Sequence, residues 1–219
     1  MPLSVDAFPC AELVRRAKAI VFDFDGTLVD SNPIKRQAFA SCFAEFPEQR
    51  ERILAYCWGH HHTPREEKFR HVYERILRRP YTDAAARMLH RRFEEATTQQ
   101  IIDAPEIPGA SAFARAMAHD RLTALLSSTP EDIVRRILRA RGWESLFRVV
   151  QGAPVDKAAW LRQLKAAHGF SPSDLLFFGD TREDAAAAEA GGCAFIAVGE
   201  GAAASQGPVL EDFATMAAG

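Results

Sequence analysis

Disulfides are the first thing this chain has little material for: four cysteines in 219 residues, Cys10, Cys42, Cys57 and Cys193, widely scattered and with no C-x-x-C pair. That spacing excludes a disulfide framework and a cysteine-rich zinc module, and predicts reduced, mostly buried thiols. Long apolar runs are also missing, and Met1 to Ala19 is broken by Asp6, Pro9, Glu12, Arg15 and Arg16. A membrane-spanning helix and a secretory signal are therefore not expected, and the chain reads as cytoplasmic. Nor is there an excess of one charge: 27 Lys+Arg against 29 Asp+Glu leave a formal charge of -2. Without a global basic field, nucleic acid is not an expected partner. No segment repeats at a fixed period, and the Ala-rich run from Ala185 to Ala190 reads as helix. What remains, 47% hydrophobic and 26% charged residues, is the composition of a folded globular protein.

Short continuous apolar runs carry the fold class. Ala19 to Phe22 ends at Asp23, Leu122 to Leu126 ends at Ser127, Leu175 to Phe178 ends at Gly179-Asp180, and Phe195 to Val198 ends at Gly199. Such runs suit strands buried on both faces of a parallel sheet, and Arg148-Val149-Val150 predicts one more. Helical patterns lie between them at Ala110 to Ala118, Glu131 to Arg141, Lys157 to His168 and Glu183 to Ala190. The alternation predicts an α/β, doubly wound (Rossmann-like) parallel sheet. Thr129, Pro130 and Asp132 predict a capping box at the start of the helix after Ser127, with Thr129 as the cap.

Residues 33–103 differ. They show helical periodicity throughout, as in Ala38, Phe39, Phe43 and Phe46, then Phe69, Val72, Tyr73, Ile76 and Leu77. A strand-free block of this length is too long for an ordinary connection. It predicts an inserted all-helical domain, with the α/β core formed by residues 1–32 and 104–219 and hinges near 30–33 and 104–109. Trp58 and Tyr73 are expected in its core.

Ligands of an open parallel sheet bind outside the carboxyl ends of its strands, where Asp23, Ser127 and Asp180 all fall. Two of them sit in short motifs, Asp23-Phe24-Asp25-Gly26-Thr27-Leu28 and Gly179-Asp180-Thr181-Arg182-Glu183-Asp184. These segments resemble the first and last motifs of the haloacid dehalogenase superfamily. Ser127 looks like the second motif, a Ser or Thr ending a strand, and Lys157 in Gly152-Ala153-Pro154-Val155-Asp156-Lys157 looks like the third. All four stand in family order between Ile20 and Val198. The helical insert after the first motif resembles the cap of the subgroup containing phosphoglycolate phosphatases and β-phosphoglucomutase.

Three carboxylates, Asp23, Asp180 and Asp184, crowding a phosphate dianion repel one another by ~4 kcal/mol per pair at 4 Å and an effective dielectric of 20. A cation is needed, and an all-oxygen donor set favours Mg²⁺ over zinc. The resemblance implies a nucleophilic Asp23 that also binds the metal, with Asp25 giving its backbone carbonyl, Asp180 a carboxylate oxygen, and Asp184 acting through water. It implies that Asp25 is general acid and base, that Lys157 neutralises Asp23 and the phosphate, and that Ser127 holds the transferring oxygens. Phe24 and Ser128 would offer backbone amides, Gly26 and Thr27 would shape the turn, and Ser128 could compete with Ser127 for the hydroxyl role.

The implied activity is Mg²⁺-dependent hydrolysis of a small phosphorylated metabolite through an aspartyl-phosphate, by a monomer or homodimer. A phosphosugar mutase is the alternative, with a non-catalytic metal-binding protein or a dehalogenase further off. His60-His61-His62 reads as a polar loop, because three adjacent imidazoles cannot all face one ion in regular structure. Arg65 and Lys68 share a helix face at i, i+3. They are candidates for a second anionic group on the substrate, a solvated helix face being the other reading.

Overall fold

The computed structural model describes residues 7–60, 63–199 and 207–217, so His61 and His62 lie outside the described residues. Two compact units are present, Met1–Asp30 with Pro105–Gly219, and Ser31–Ala104. The helical unit thus begins at 31 and ends at 104, where periodicity alone suggests 33 and 103. Its first helix starts at Asn32 with a proline in the opening turn, and its last runs to Asp103 before Ala104 turns extended.

The first unit runs α1 (Ala7–Arg16), β1 (Ala19–Phe22), then, after the insert, α6 (Ala110–Ala118), β2 (Leu122–Pro130), α7 (Glu131–Ala140), β3 (Val149–Ala153), α8 (Lys157–His168), β4 (Leu175–Gly179), α9 (Arg182–Gly191), β5 (Ala194–Val198), β6 (Val209–Leu210) and α10 (Ala214–Ala217). Among the described residues six strands form one sheet in the order β3-β2-β1-β4-β5-β6, every neighbouring pair parallel. This is a doubly wound α/β fold, whose strand order reverses between β1 and β4.

Strand β1 is central and fully buried, so it reads as an unbroken apolar run. Its two faces have different cores. Ala19 and Val21 pack with Leu161, Leu164, Phe177 and Ala188. On the other face Phe22 stacks on Phe178 at 5.4 Å and meets Phe113, Phe147 and Phe213 edge-on or tilted at 6.0 to 6.2 Å. Each buried phenylalanine contributes roughly 1.5–3 kcal/mol. The cluster also anchors the last residue before Asp23.

The second unit contains α2 (Asn32–Cys42), α3 (Arg50–Gly59), α4 (Arg65–His71), which continues as a π-turn over Val72–Ile76, and α5 (Asp83–Asp103). Its core holds the predicted Ala38, Phe39, Phe43, Phe69, Val72, Tyr73 and Ile76, with Phe46 and Leu77 partly buried against them, and also takes in Phe93 of the last helix. Trp58 is the exception: at 40% exposure it is a surface residue, its Nε1 donating to the Arg36 carbonyl at 3.5 Å. Its position near the end of α3 lies outside the stripe that Ile53, Leu54 and Cys57 turn inward.

Glu66 ties α4 to the rest of this unit, accepting from His90 Nε2 at 2.5 Å, Tyr81 Oη at 3.0 Å and Arg70 at 3.1 Å. Burial alone would raise its pKa. The hydrogen bonds from His90 and Tyr81, and then the charges of His90 and Arg70, outweigh that and hold it below 4.5. A carboxylate with a depressed folded pKa stabilises above its unfolded value and loses that contribution as pH falls through the folded one. Glu66→Gln should therefore cost up to about 1 kcal/mol near neutrality, a small figure because the pair is partly solvated. The gap between the two urea midpoints should close as pH falls below about 4.5 and through the depressed folded value; a gap that persists unchanged in strong acid would contradict this role.

Candidate active site

The end of β1 delivers Asp23. Its amide donates to the Phe178 carbonyl at 2.8 Å, extending the β1–β4 pairing by one residue, so the carboxylate emerges where the sheet order reverses. The chain then turns tightly. Gly26 has φ 80, its amide donates to Val29 at 2.8 Å, and Leu28 returns to Phe24 at 2.9 Å. A positive φ favours glycine at Gly26. Thr27 is fully buried in this turn, and among the described residues its Oγ1 finds no hydrogen-bond partner.

Lys157 is the first residue of α8, a helix whose start is fixed by Asp156, which accepts from the Ala159 amide at 3.0 Å. From there Lys157 Nζ reaches Asp23 Oδ1 and Asp184 Oδ1, each at 2.7 Å. Asp184 is held equally firmly. Its Oδ2 accepts from Thr181 Oγ1 at 2.5 Å and from the Thr181 amide at 3.3 Å, and its own amide donates to Thr181 Oγ1 at 3.2 Å. That capping box at the start of α9 leaves Oδ1 for Lys157. Gly179 permits the approach: a Cβ there would lie 2.5 Å from Asp184 Cβ and 2.9 Å from its Oδ2.

Asp23, Asp180 and Asp184 each offer a carboxylate oxygen within 4.8 Å of the others. Asp23 and Asp184 are buried and Asp180 is half-buried. Burial raises the Asp23 pKa; Lys157 opposes this, while Asp184, Asp180 and Asp25 add to it, and the group is pushed up to about 8. For Lys157, burial favours the neutral form, but attraction to Asp23 and Asp184 and the hydrogen bonds to both prevail and keep it above its ordinary value. The ammonium stays charged. A divalent cation fits this donor set, which is all oxygens and close together.

Ser127 is fully buried on β2 and accepts from the Thr129 amide at 3.0 Å, while Ser128 is exposed. The strand also runs further than its apolar residues suggest, to Pro130, which pairs with Ala153. The expected capping box of Thr129 is not formed. Pro130 is the N-cap of α7, which has no side-chain cap, and Thr129 Oγ1 donates instead to Asp25 Oδ2 at 2.8 Å. The Thr181 box was available in the sequence as the same Thr-x-x-Asp pattern. Thr129 carried no signal for its bond to a residue 104 positions away. Phe24, between the two aspartates, buries its ring completely.

Arg65 and Lys68 lie on α4 in the helical unit. Both stack on aromatics, Arg65 over Phe93 at 4.8 Å and Lys68 over Phe39 at 5.2 Å. Lys68 is only 6% exposed, so a solvated face does not describe it. His60 is exposed, with Nδ1 against the Tyr56 carbonyl at 2.8 Å.

The haloacid dehalogenase-like hydrolase family matches residues 17–192. A phosphoglycolate phosphatase of Synechococcus elongatus is 32% identical over 192 residues, covering 83% of each chain. Another from Chromobacterium violaceum is 28% identical, covering 86% of this chain and 87% of its own. Among solved structures, that of a predicted phosphoglycolate phosphatase from Haemophilus somnus superposes with a TM-score of 0.72 at 22% identity, over 92% of this chain and 96% of the other. Among the described residues, no helix is long and apolar enough to cross a membrane.

Proposed function

The chain belongs to the haloacid dehalogenase-like hydrolases, and from that premise we propose a magnesium-dependent phosphatase that hydrolyses a small phosphomonoester through a phosphoryl group carried on Asp23. The observation that carries the reading is the bridge from Lys157 Nζ to Asp23 and Asp184, 2.7 Å to each, within a cluster that also includes Asp180. It supports a nucleophile oriented by an ammonium beside a cation site.

The carboxylates of Asp23, Asp180 and Asp184 would hold Mg²⁺, with the Asp25 carbonyl as the ligand the family resemblance adds. When bound, the cation supplies compensation for the carboxylates and the substrate dianion. Asp23 Oδ attacks phosphorus, and Lys157 offsets charge on both groups. Ser127, whose oxygen already accepts from the Thr129 amide, directs its proton to a phosphoryl oxygen. Asp25 protonates the leaving alkoxide, then takes a proton from the water that hydrolyses the aspartyl-phosphate. Backbone amides from Phe24 onward and near Ser128 complete the phosphoryl cradle.

The helical unit is proposed as the cap that selects the substrate, with Arg65 and Lys68 receiving a second anionic group. The names of the similar proteins favour 2-phosphoglycolate, a phosphoester bearing one carboxylate, as the first substrate to offer. Free phosphate should appear from it with Mg²⁺ and stop on chelation. Transfer of the phosphoryl group between sugar hydroxyls without net release would replace this reading with a mutase. Lys68→Met, nearly volume-conserving, should raise KM for 2-phosphoglycolate about tenfold or more while changing kcat little, as loss of uniform binding predicts; an unchanged KM would remove Lys68 from the substrate site.

A further inference from the structure

Resting on the hydrolase reading above, we propose that Thr129 is a positioning residue for the general acid, its hydroxyl holding one oxygen of Asp25 so that the other carries the transferable proton. Thr129 Oγ1 donates to Asp25 Oδ2 at 2.8 Å, with both residues buried. The hydroxyl is placed by structure beyond its own strand. Pro130 pairs with Ala153, and the Thr129 amide is bound to Ser127 Oγ. Gly152 of β3 packs so closely that a Cβ on it would lie 2.7 Å from the Thr129 carbonyl oxygen and 2.4 Å from the Glu131 nitrogen. Helix α7 starts without a side-chain cap, so this hydroxyl is not used to begin it.

A general acid must present its proton in one direction, and a carboxyl has two oxygens that rotation about χ2 can exchange. A donor on Oδ2 places the proton of neutral Asp25 on Oδ1. In the first half-reaction that proton moves to the alkoxide as its bond to phosphorus breaks and the bond from phosphorus to Asp23 forms. In the second, Oδ1 takes a proton from the attacking water as the bond from phosphorus to Asp23 breaks. Ester and water become alcohol and phosphate, and Asp25 ends protonated as it began.

Leaving-group dependence separates this role from simple support of the fold. Thr129→Val should lower kcat/KM for 2-phosphoglycolate about 10- to 100-fold, the scale of a misoriented acid. For p-nitrophenyl phosphate, whose phenolate leaves without a proton, the loss should stay below about threefold. Thr129→Ser, which restores the donor, should recover the alkyl ester to within about threefold of wild type. Thr129→Ala gives a second removal of the hydroxyl should the valine crowd its site, with Mg²⁺ affinity and thermal midpoint measured alongside. Equal losses on both esters, or none on either, would overturn the role of Thr129 while leaving the phosphatase reading intact. A wild-type protein that hydrolyses neither ester with Mg²⁺ would overturn both together.

Discussion

Asp23→Asn should reduce phosphate release by about 10⁴-fold or more, because the amide is isosteric but has no nucleophilic oxygen to form the covalent intermediate. No neighbour can substitute from the same place. The Asp23 amide is tied into the sheet at Phe178, Asp184 has its two oxygens committed to Lys157 and Thr181, and Asp25 is held by Thr129. Rapid-quench assays with labelled substrate should find a protein-bound phosphoryl group in wild type and none in the variant. Activity within tenfold of wild type would refute Asp23 as nucleophile.

The same substitution has an opposite signature in stability. In cation-free protein Asp23 is raised from 3.8 to about 8, so the folded state keeps a proton that the unfolded chain releases between those values. Wild-type stability contributed by this group therefore falls as pH rises through that window, and the asparagine lacks this slope. Relative to wild type, Asp23→Asn should gain stability from about pH 4 to about pH 8 and then level off. Saturating Mg²⁺ should reduce the difference. Paired denaturation curves with chelator and with Mg²⁺ measure it directly.

Lys157→Met has the second largest expected effect and acts in the other direction on stability. Truncating the ammonium leaves Asp23 and Asp184 buried beside each other with their 2.7 Å donor removed. Breaking a buried ion pair at one end typically costs about 3–5 kcal/mol. Protonation of Asp23 relieves part of that at low pH, so the loss should deepen as pH rises. Loss of a charge-stabilising donor should lower kcat by about 10²–10³ even with Mg²⁺ saturating. Lys157→Arg should not restore it, because a planar guanidinium cannot place one nitrogen between two carboxylates as the compact ammonium does. Full activity in Lys157→Met would exclude it from charge compensation.

Much of the α/β unit is legible in local sequence because its signals are local. A strand buried on both faces must be apolar, so Ala19 to Phe22 and Leu175 to Phe178 announce themselves, and the polar residue that ends each run marks the ligand-binding edge. Helix periodicity finds the insert for the same reason. Trp58 defeats that reasoning, since being aromatic does not settle which side of α3 a residue turns toward the core. Strand ends are also less visible: β2 runs past its apolar residues to Pro130, where pairing with β3 resumes at Ala153 after a register shift that no local pattern marks.

The clearest division is between two threonines. Sequence alone determined that four motifs follow one another in an order suited to one site, and it predicts a cap at Thr129; Thr181-Arg182-Glu183-Asp184 carries the same Thr-x-x-Asp spacing, though no cap is predicted there. Tertiary structure decided that Thr181 caps its helix and so fixes Asp184 for Lys157, whereas Thr129 gives its hydroxyl to Asp25. The physical reason is where each helix starts. A capping oxygen accepts from a backbone amide, as Thr181 does, but β3 pairs with Pro130 and makes it the first residue before α7, so Thr129 stands one position too early to cap and its hydroxyl donates to the Asp25 carboxylate.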